Sequence, residues 1–582
     1  MTQTRQRSET RPLPKAHDVR PRIMKGQEWL AETFRRSQVP GIFFVPTFLY
    51  STLGELARDP VKRVLCHAEK AAGYMADGCA QASGRPGIVI TQGGPGACNL
   101  AAGLAEPWMS HTPVLALTAR TTGRYHGAWQ AVNPYFGNVT KWDTDVPSLA
   151  RLPDLLGEAY RQATTGAPAP VHLAIEFGAE WEEADFGEQM LDDRYFIQPA
   201  ARPAADDAAV AEAVRWLQEA EQPLIVAGRG AITSGAWDAI TALAERLNVP
   251  VATSLGGKGS IDGGHRLSVG VQGGYRRPVA TQMVGEADLI VCIGNQVGGA
   301  TPLKQTTPII SINIDPSQPA TGQDYPHTLP LVGDARVVVE QMLAVVGAGE
   351  PAAHAQWVRH CETAVQAWWQ AENERVASDA VPIRPERLAV DVVNALPADA
   401  LVVADTGYNA AWSGAFMDLP AGKNYLCCEG SMGWAFPASL GAKVGAGDRP
   451  VVCWTGDGAF YCHLPELETA VRNQISTITV ILNNHALVFD THLLQGVWSQ
   501  WDDVDALSEF TEMNFAKLAT GMGANGIRVT DPRDIGPAIQ AGLAFDGPTV
   551  IDVVTDHGAV APVGMMATTA EGGWVNTPER IA

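Results

Sequence analysis

Residues 449–490, RPVVCWTGDGAFYCHLPELETAVRNQISTITVILNNHALVFD, constrain the fold more than any other stretch of the chain. An apolar run from Val451 to Trp454 meets a Gly-rich turn; a helix-permissive segment, Leu464 to Asn473, leads to a second apolar run, Thr477 to Leu482. This pattern predicts a βαβ unit. In a parallel sheet both strands of such a unit end on the same carboxyl edge, where ligands of doubly wound sheets collect and helix N-termini face anions. The first strand runs into Asp457, flanked by Gly456 and Gly458, and the second into Asn483-Asn484. Oxygen-bearing side chains from two strand ends are thereby expected over one small site.

The donor types narrow what such a site can hold. Mg²⁺ takes an octahedron of hard oxygens and commonly uses only one or two carboxylates, with phosphate oxygens and water filling the rest. Asp457 offers one charge, the Asn484 amide a neutral oxygen, and the main-chain carbonyl of Ala486 a third ligand. Gly456 and Gly458 remove side chains where a diphosphate would lie against peptide N–H groups. A Gly-Asp-Gly turn or an Asn-Asn pair alone reads equally well as a tight loop. Set 27 residues apart across a strand–helix–strand unit, Asp457 and Asn484 resemble the metal-diphosphate motif of thiamine-diphosphate enzymes.

Composition fits an α/β enzyme of several domains. The chain has 582 residues, 46% of them hydrophobic, so large cores are available. A net charge of −21 argues against nucleic-acid or anionic-membrane partners. No apolar run reaches about eighteen residues, so no transmembrane helix is expected. Nine cysteines, an odd number without CxxC spacing, point to reduced core residues. Residues 1–22 carry several arginines without an apolar segment; they read as a disordered arm rather than a secretory signal, and the protein as cytoplasmic.

From Ile23 onward β and α patterns alternate. Strands are expected at Gly41–Val45, Val64–Cys66, Gly87–Thr91, Val114–Thr118 and Val171–Ile175, with helices between them, which predicts a doubly wound parallel sheet. Around Glu69 the sequence HAEKAAGYMADGCAQASGRPGIVITQGGPGACNL is poor in other charges and rich in small residues. It closely resembles the pyrimidine-binding domain of acetohydroxyacid synthase-like and benzaldehyde lyase-like thiamine-diphosphate enzymes. The resemblance spans about residues 23 to 560 and implies three doubly wound α/β domains: pyrimidine-binding at 23–190, middle at 203–348 and diphosphate-binding at 384–560, followed by a tail at 561–582 without periodicity. Middle-domain strands are expected at Pro223–Ala227, Pro250–Ser254, Leu289–Ile293 and Ile309–Ile314.

The resemblance also assigns roles. Glu69 becomes the catalytic carboxyl that exchanges a proton with the pyrimidine. Asp457, Asn484 and Ala486 become the Mg²⁺ ligands. Gly456, Gly458 and Ala459, with Gly407, Tyr408 and Asn409, become diphosphate contacts. The Gly430 carbonyl holds the 4′-amino group, and Met432 supports the bend between the two rings. Gln130 aligns with a substrate-pocket Gln and equally reads as a surface residue on a loop. His111-Thr112-Pro113 resembles a piece of sulfoacetaldehyde acetyltransferases, and His111 equally reads as the end of a helix. In this family Glu69 and the diphosphate site come from different subunits, so at least a homodimer, with a homotetramer favoured, is implied.

Departures qualify the assignment. Pro46-Thr47-Phe48 replaces a Pro-Gly-Gly, Asn409 stands where a G-x-H-x-x-W segment has His, and Gly294-Asn295-Gln296-Val297-Gly298 replaces the flavin segment R-F-D-D-R, so no tightly bound FAD is expected. Phe489, His492, Trp498 and Trp501 either line a substrate channel or pack on the adjacent helix. The expected function is a thiamine-diphosphate- and Mg²⁺-dependent C–C lyase or carboligase acting on a small carbonyl compound, a 2-oxo acid or 2-hydroxy ketone. The alternatives are a non-oxidative 2-oxo acid decarboxylase or 2-hydroxyacyl-CoA lyase, and, from another class, a non-catalytic binding protein that keeps the fold.

Overall fold

The computed structural model describes residues 22–45, 48–120, 136–187, 191–296, 303–318, 325–347, 353–497, 503–563, 566–568 and 574–576. Three six-stranded parallel sheets follow one another along the chain. Across the first, the order is Lys62–Leu65, Gly41–Phe44, Gly87–Thr91, Val114–Arg120, Val171–Glu176, Trp142–Val146. The second runs Ser268–Val271, Val251–Thr253, Pro223–Ala227, Leu289–Ile293, Ile309–Asn313, Thr328–Val332. The third runs Tyr425–Cys427, Leu401–Ala404, Val451–Gly456, Ile478–Asn483, Thr549–Val554, Asn525–Val529.

The central strands are unbroken runs of Val, Ile, Leu and Cys because helices cover both faces of a parallel sheet, and every residue of Pro223–Ala227, Leu289–Ile293 and Val451–Gly456 is buried. Edge strands read differently. Trp142–Val146 alternates half-buried and exposed residues, a pattern dominated by Asp and Thr that carries no continuous apolar signal.

The first and third domains share one core. Helix Glu69–Ser83 lies against helix Ala435–Ala446, and Met75, Cys79, Trp434, Leu440 and Val444 belong to a single buried cluster. Small residues permit this approach. A Cβ on Gly441 would stand 1.8 Å from the Met75 carbonyl oxygen, and one on Gly78 2.0 Å from that of Ala438.

One expectation needs correction. The segment after Val451–Gly456 is not a turn followed by one helix: it is two short helices, Asp457–His463 and Glu466–Arg472, with Asp457 as the first helical residue. A charged, Trp-containing helix, Ala355–Val376, lies between the second and third sheets in the chain. The tail carries two short antiparallel strands, Met566–Thr568 and Trp574–Asn576. None of the nine cysteines forms a disulfide. Among the described residues, no helix is long and apolar enough to cross a membrane.

Candidate active site

Four neighbouring strands of the third sheet, Tyr425–Cys427, Leu401–Ala404, Val451–Gly456 and Ile478–Asn483, end on one carboxyl edge. Every residue that the sequence nominated in this domain follows one of those ends. Asp457 is almost fully buried there, and its carboxylate ties two ends together. Oδ1 accepts from the Gly458 N–H at 2.6 Å, and Oδ2 from those of Asn484 at 3.0 Å and His485 at 2.6 Å. Burial lifts its pKa to about 6, with the three N–H donors pulling the other way.

The two asparagines divide. Asn483 turns into the sheet, where its amide donates to Asp552 at 2.7 Å and to the Met513 carbonyl at 2.9 Å. Asn484 remains at the edge, its Oδ1 accepting from the Ala486 N–H at 3.2 Å. One carboxylate, one amide oxygen and the Ala486 carbonyl are a hard, low-charge donor set that suits Mg²⁺ accompanied by phosphate oxygens. Among the described residues no group of three or more His, Cys, Asp and Glu side chains could hold a metal.

The glycines act in two ways. A Cβ at Gly456 would meet the Asn409 amide nitrogen at 3.0 Å, and one at Gly458 would meet Leu487 Cδ2 at 2.6 Å, so these two glycines admit protein neighbours. Gly407, at φ 69°, and Gly430 have no atom within 4 Å of that position and border open space. Helix Tyr408–Phe416 begins right after Gly407. Asn409, in the place of the family's His, donates to the Thr406 carbonyl at 3.2 Å, while its own carbonyl accepts from the Trp454 indole at 2.9 Å. Ala459 is buried on the helix begun by Asp457.

Glu69 opens helix Glu69–Ser83 in the first domain. Its carboxylate is half-exposed and accepts from the Asn99 amide at 3.1 Å. Gly96, the second residue of helix Pro95–Met109, leaves the space beside it open: a Cβ there would lie 2.6 Å from Gln92 Cγ and 3.2 Å from Glu69 Oε1. Met432, after strand Tyr425–Cys427, is 41% exposed. Gln130 lies outside the described residues, as do Pro46, Thr47, Trp498 and Trp501. His111, at φ 53°, follows the end of helix Pro95–Met109, which is the helix-terminal reading of that residue. Phe489 packs edge-on against Tyr408 at 5.6 Å, and the Tyr408 hydroxyl is hydrogen-bonded to His492 Nδ1 at 2.9 Å.

The chain matches three family models in order along its sequence. The models are the thiamine pyrophosphate enzyme N-terminal TPP binding domain over residues 24–140, the central domain over 210–342 and the C-terminal TPP binding domain over 405–553. The chain belongs to the thiamine pyrophosphate (thiamine diphosphate) enzyme family. It is 28% identical over 569 residues to a probable acetolactate synthase large subunit of Methanocaldococcus jannaschii, covering 93% of each chain. It is also 28% identical to the acetolactate synthase large subunit of Corynebacterium glutamicum, over 90% of this chain and 84% of that one. With the acetolactate synthase isozyme 2 large subunit of Escherichia coli the identity is 26%, over 92% and 96%.

This thiamine pyrophosphate enzyme has a set of charged side chains at its site, three of them buried carboxylates, that the sequence reading did not nominate. The segment carrying Gly430 and Met432 is pinned from all three domains. Asp405, fully buried, accepts from the N–H groups of Gly433 and Ala435, both at 3.0 Å, and burial raises its pKa to about 6. Arg229 of the middle domain pairs with Glu429 at 2.7 Å and donates to the Cys427 carbonyl at 2.9 Å. Glu106 of the first domain, also fully buried, accepts from Glu429 N at 2.5 Å and Ser431 N at 3.1 Å. A further carboxylate, Glu466, accepts from the N–H groups of His67 and Ala68 at 3.0 and 3.1 Å, just before Glu69. The available signal was chemical: a lone carboxylate within an otherwise small and apolar helical run, such as Glu106 in GLAEPWM, needs a partner if that run is buried.

Proposed function

We propose that this enzyme makes or breaks a carbon–carbon bond next to a carbonyl, as a thiamine-diphosphate- and Mg²⁺-dependent carboligase or lyase of acetolactate synthase type acting on a 2-oxo acid or 2-hydroxy ketone. The observation that carries the reading is the convergence of Asp457, Asn484 and Ala486 at the ends of two adjacent parallel strands, a donor set matched to Mg²⁺ and a diphosphate. The names of the relatives, all acetolactate synthase large subunits, support the reaction type.

Asp457, the Asn484 side-chain oxygen and the Ala486 carbonyl hold the metal. Peptide N–H groups around Gly407–Asn409 and Gly456–Ala459 bind the diphosphate, whose charge the metal and the start of helix Tyr408–Phe416 share. Met432 and the Gly430 carbonyl would hold the aminopyrimidine end of the bound cofactor. Glu69 holds and exchanges the proton at the pyrimidine nitrogen, the task of a general acid–base carboxyl. The cofactor supplies the electron sink that lets a bond beside a carbonyl break or form. Gln130 is assigned to the substrate pocket.

The site is completed by a second copy of the chain. Within one chain Glu69 is half-exposed and Met432 is 41% exposed, which suits groups that a partner covers. Glu69 of one subunit then faces the diphosphate edge of the other in a closed, symmetric homodimer or a tetramer of such dimers.

The test incubates the enzyme with thiamine diphosphate, Mg²⁺ and a panel of 2-oxo acids, 2-hydroxy ketones and 2-hydroxyacyl-CoA thioesters, with pyruvate first. Release of CO₂ together with an acetolactate- or acetoin-type product is the expected result. Release of CO₂ and a free aldehyde alone identifies a decarboxylase, and cleavage only of a 2-hydroxyacyl-CoA identifies the lyase. No reaction with any of them, despite bound cofactor, overturns the reading.

A further inference from the structure

Gly430 borders open space, and no side chain of its own fixes its carbonyl. What orients that peptide is the hydrogen bonding of its neighbours, and both neighbours donate to one residue. Glu106 Oε1 accepts from the N–H of Glu429 and Oε2 from the N–H of Ser431. Its carboxyl thus bridges residues 429 and 431 with one oxygen for each. Glu106 reaches the segment from helix Pro95–Met109 of the first domain and is 0% exposed. Arg229 does not pair with it and is engaged instead with the Glu429 side chain, the Cys427 carbonyl and Gln81.

We propose that Glu106 is a positioning residue for the reaction, its carboxyl holding the 428–429 peptide through the Glu429 N–H and the 430–431 peptide, which carries the Gly430 carbonyl, through the Ser431 N–H, and so fixing the direction of that carbonyl. The inference rests on the assignment of that carbonyl to the 4′-amino group of thiamine diphosphate. The two-oxygen arrangement needs an acceptor at both positions. A neutral amide offers one oxygen and one NH₂, so whichever way a glutamine turns, one N–H of the pair faces another donor. Removing one partner from a buried pair is the costly case, because the remaining group is left desolvated and unsatisfied.

A purely architectural role and a positioning role differ in what they move. Loss of domain docking alone lowers the unfolding temperature of the apoprotein and weakens cofactor binding, yet leaves saturated sites with the wild-type spectrum. Loss of aim changes the saturated site itself. The experiment measures thiamine diphosphate affinity by tryptophan fluorescence, the near-UV circular dichroism of the bound aminopyrimidine, and hydrogen–deuterium exchange at the cofactor C2 position. It uses the full-length enzyme with Mg²⁺ as wild type, Glu106→Gln and Glu106→Asp. For Glu106→Gln at saturating cofactor, the dichroism band is expected to change and C2 exchange to slow by roughly tenfold or more. Affinity is expected to fall by roughly tenfold, as for loss of a charge-assisted hydrogen bond. Glu106→Asp keeps two acceptor oxygens on a shorter stem and is expected to fall between the two; it decides the matter if the glutamine variant does not fold. A folded variant that, when saturated, shows the wild-type band and exchange rate overturns the clamp. Wild-type enzyme that binds no thiamine diphosphate overturns the functional reading itself.

Discussion

Glu69 and Asp457 sit in opposite surroundings. Asp457 is enclosed and satisfied by three peptide donors, whereas Glu69 is held by the Asn99 amide and half-exposed. One carboxyl is an anchor and the other is assigned proton exchange. Glu69→Gln should therefore leave thiamine diphosphate binding within a few-fold of wild type by fluorescence titration while turnover falls by about 10²- to 10⁴-fold; loss of binding instead of turnover would reverse that division of labour. Glu106 makes a separate prediction about pH. Burial raises its pKa from 4.5 to about 7, the Glu429 N–H and the Ser431 side chain opposing and the nearby Asp77 and Glu429 charges adding to the rise. With a folded-state value above the unfolded one, its favourable contribution is complete below about pH 4.5 and is lost as pH rises through about 7. Urea unfolding of the apoprotein should show wild-type stability declining from about pH 5 to about pH 8 by on the order of 3 kcal/mol relative to Glu106→Gln. Parallel pH profiles for the two proteins would place the ionisation elsewhere.

At the scale of elements, the contact between helices Glu69–Ser83 and Ala435–Ala446 joins the two cofactor-handling domains through glycine. Gly441→Ala puts a methyl 1.8 Å from a main-chain carbonyl oxygen that cannot swing away, so the helices must separate. A loss on the order of 2–3 kcal/mol is expected from such overpacking, seen as a lower unfolding temperature in calorimetry; an unchanged midpoint would show that the helices slide at no cost. This contact was not legible in the sequence, since a run of Ala and Gly in a helix gives no indication of which other helix it meets. The fold class was legible, because parallel strands buried on both faces, such as Leu289–Ile293 and Ile478–Asn483, are continuous apolar runs. Edge strands were not: Trp142–Val146 and Thr328–Val332 carry polar or half-exposed residues and lack that signal. Asp457 and Asn484, brought together at one sheet edge, were legible through their spacing within one βαβ unit. Glu106, Arg229 and Asp405 were not, because their partners are peptide groups and a side chain brought together only by tertiary packing.

For the whole molecule, the account requires two chains. The first and third domains of one chain pack tightly on each other, yet Glu69 is only partly buried and Met432 is exposed, as expected if a partner chain covers them in the proposed homodimer. Subunit mixing tests this most directly. Glu69→Gln chains and Asp457→Asn chains, each inactive alone, are refolded together or coexpressed in equal amounts, and C2 hydrogen–deuterium exchange of thiamine diphosphate is measured with Mg²⁺. In a two-fold symmetric dimer a mixed pair has one site with intact Glu69 and intact Asp457 and one with neither. Random pairing should therefore restore about a quarter of the wild-type exchange rate. Mixed preparations no faster than the two parents, with hybrid dimers verified by mass, would contradict a site shared between chains.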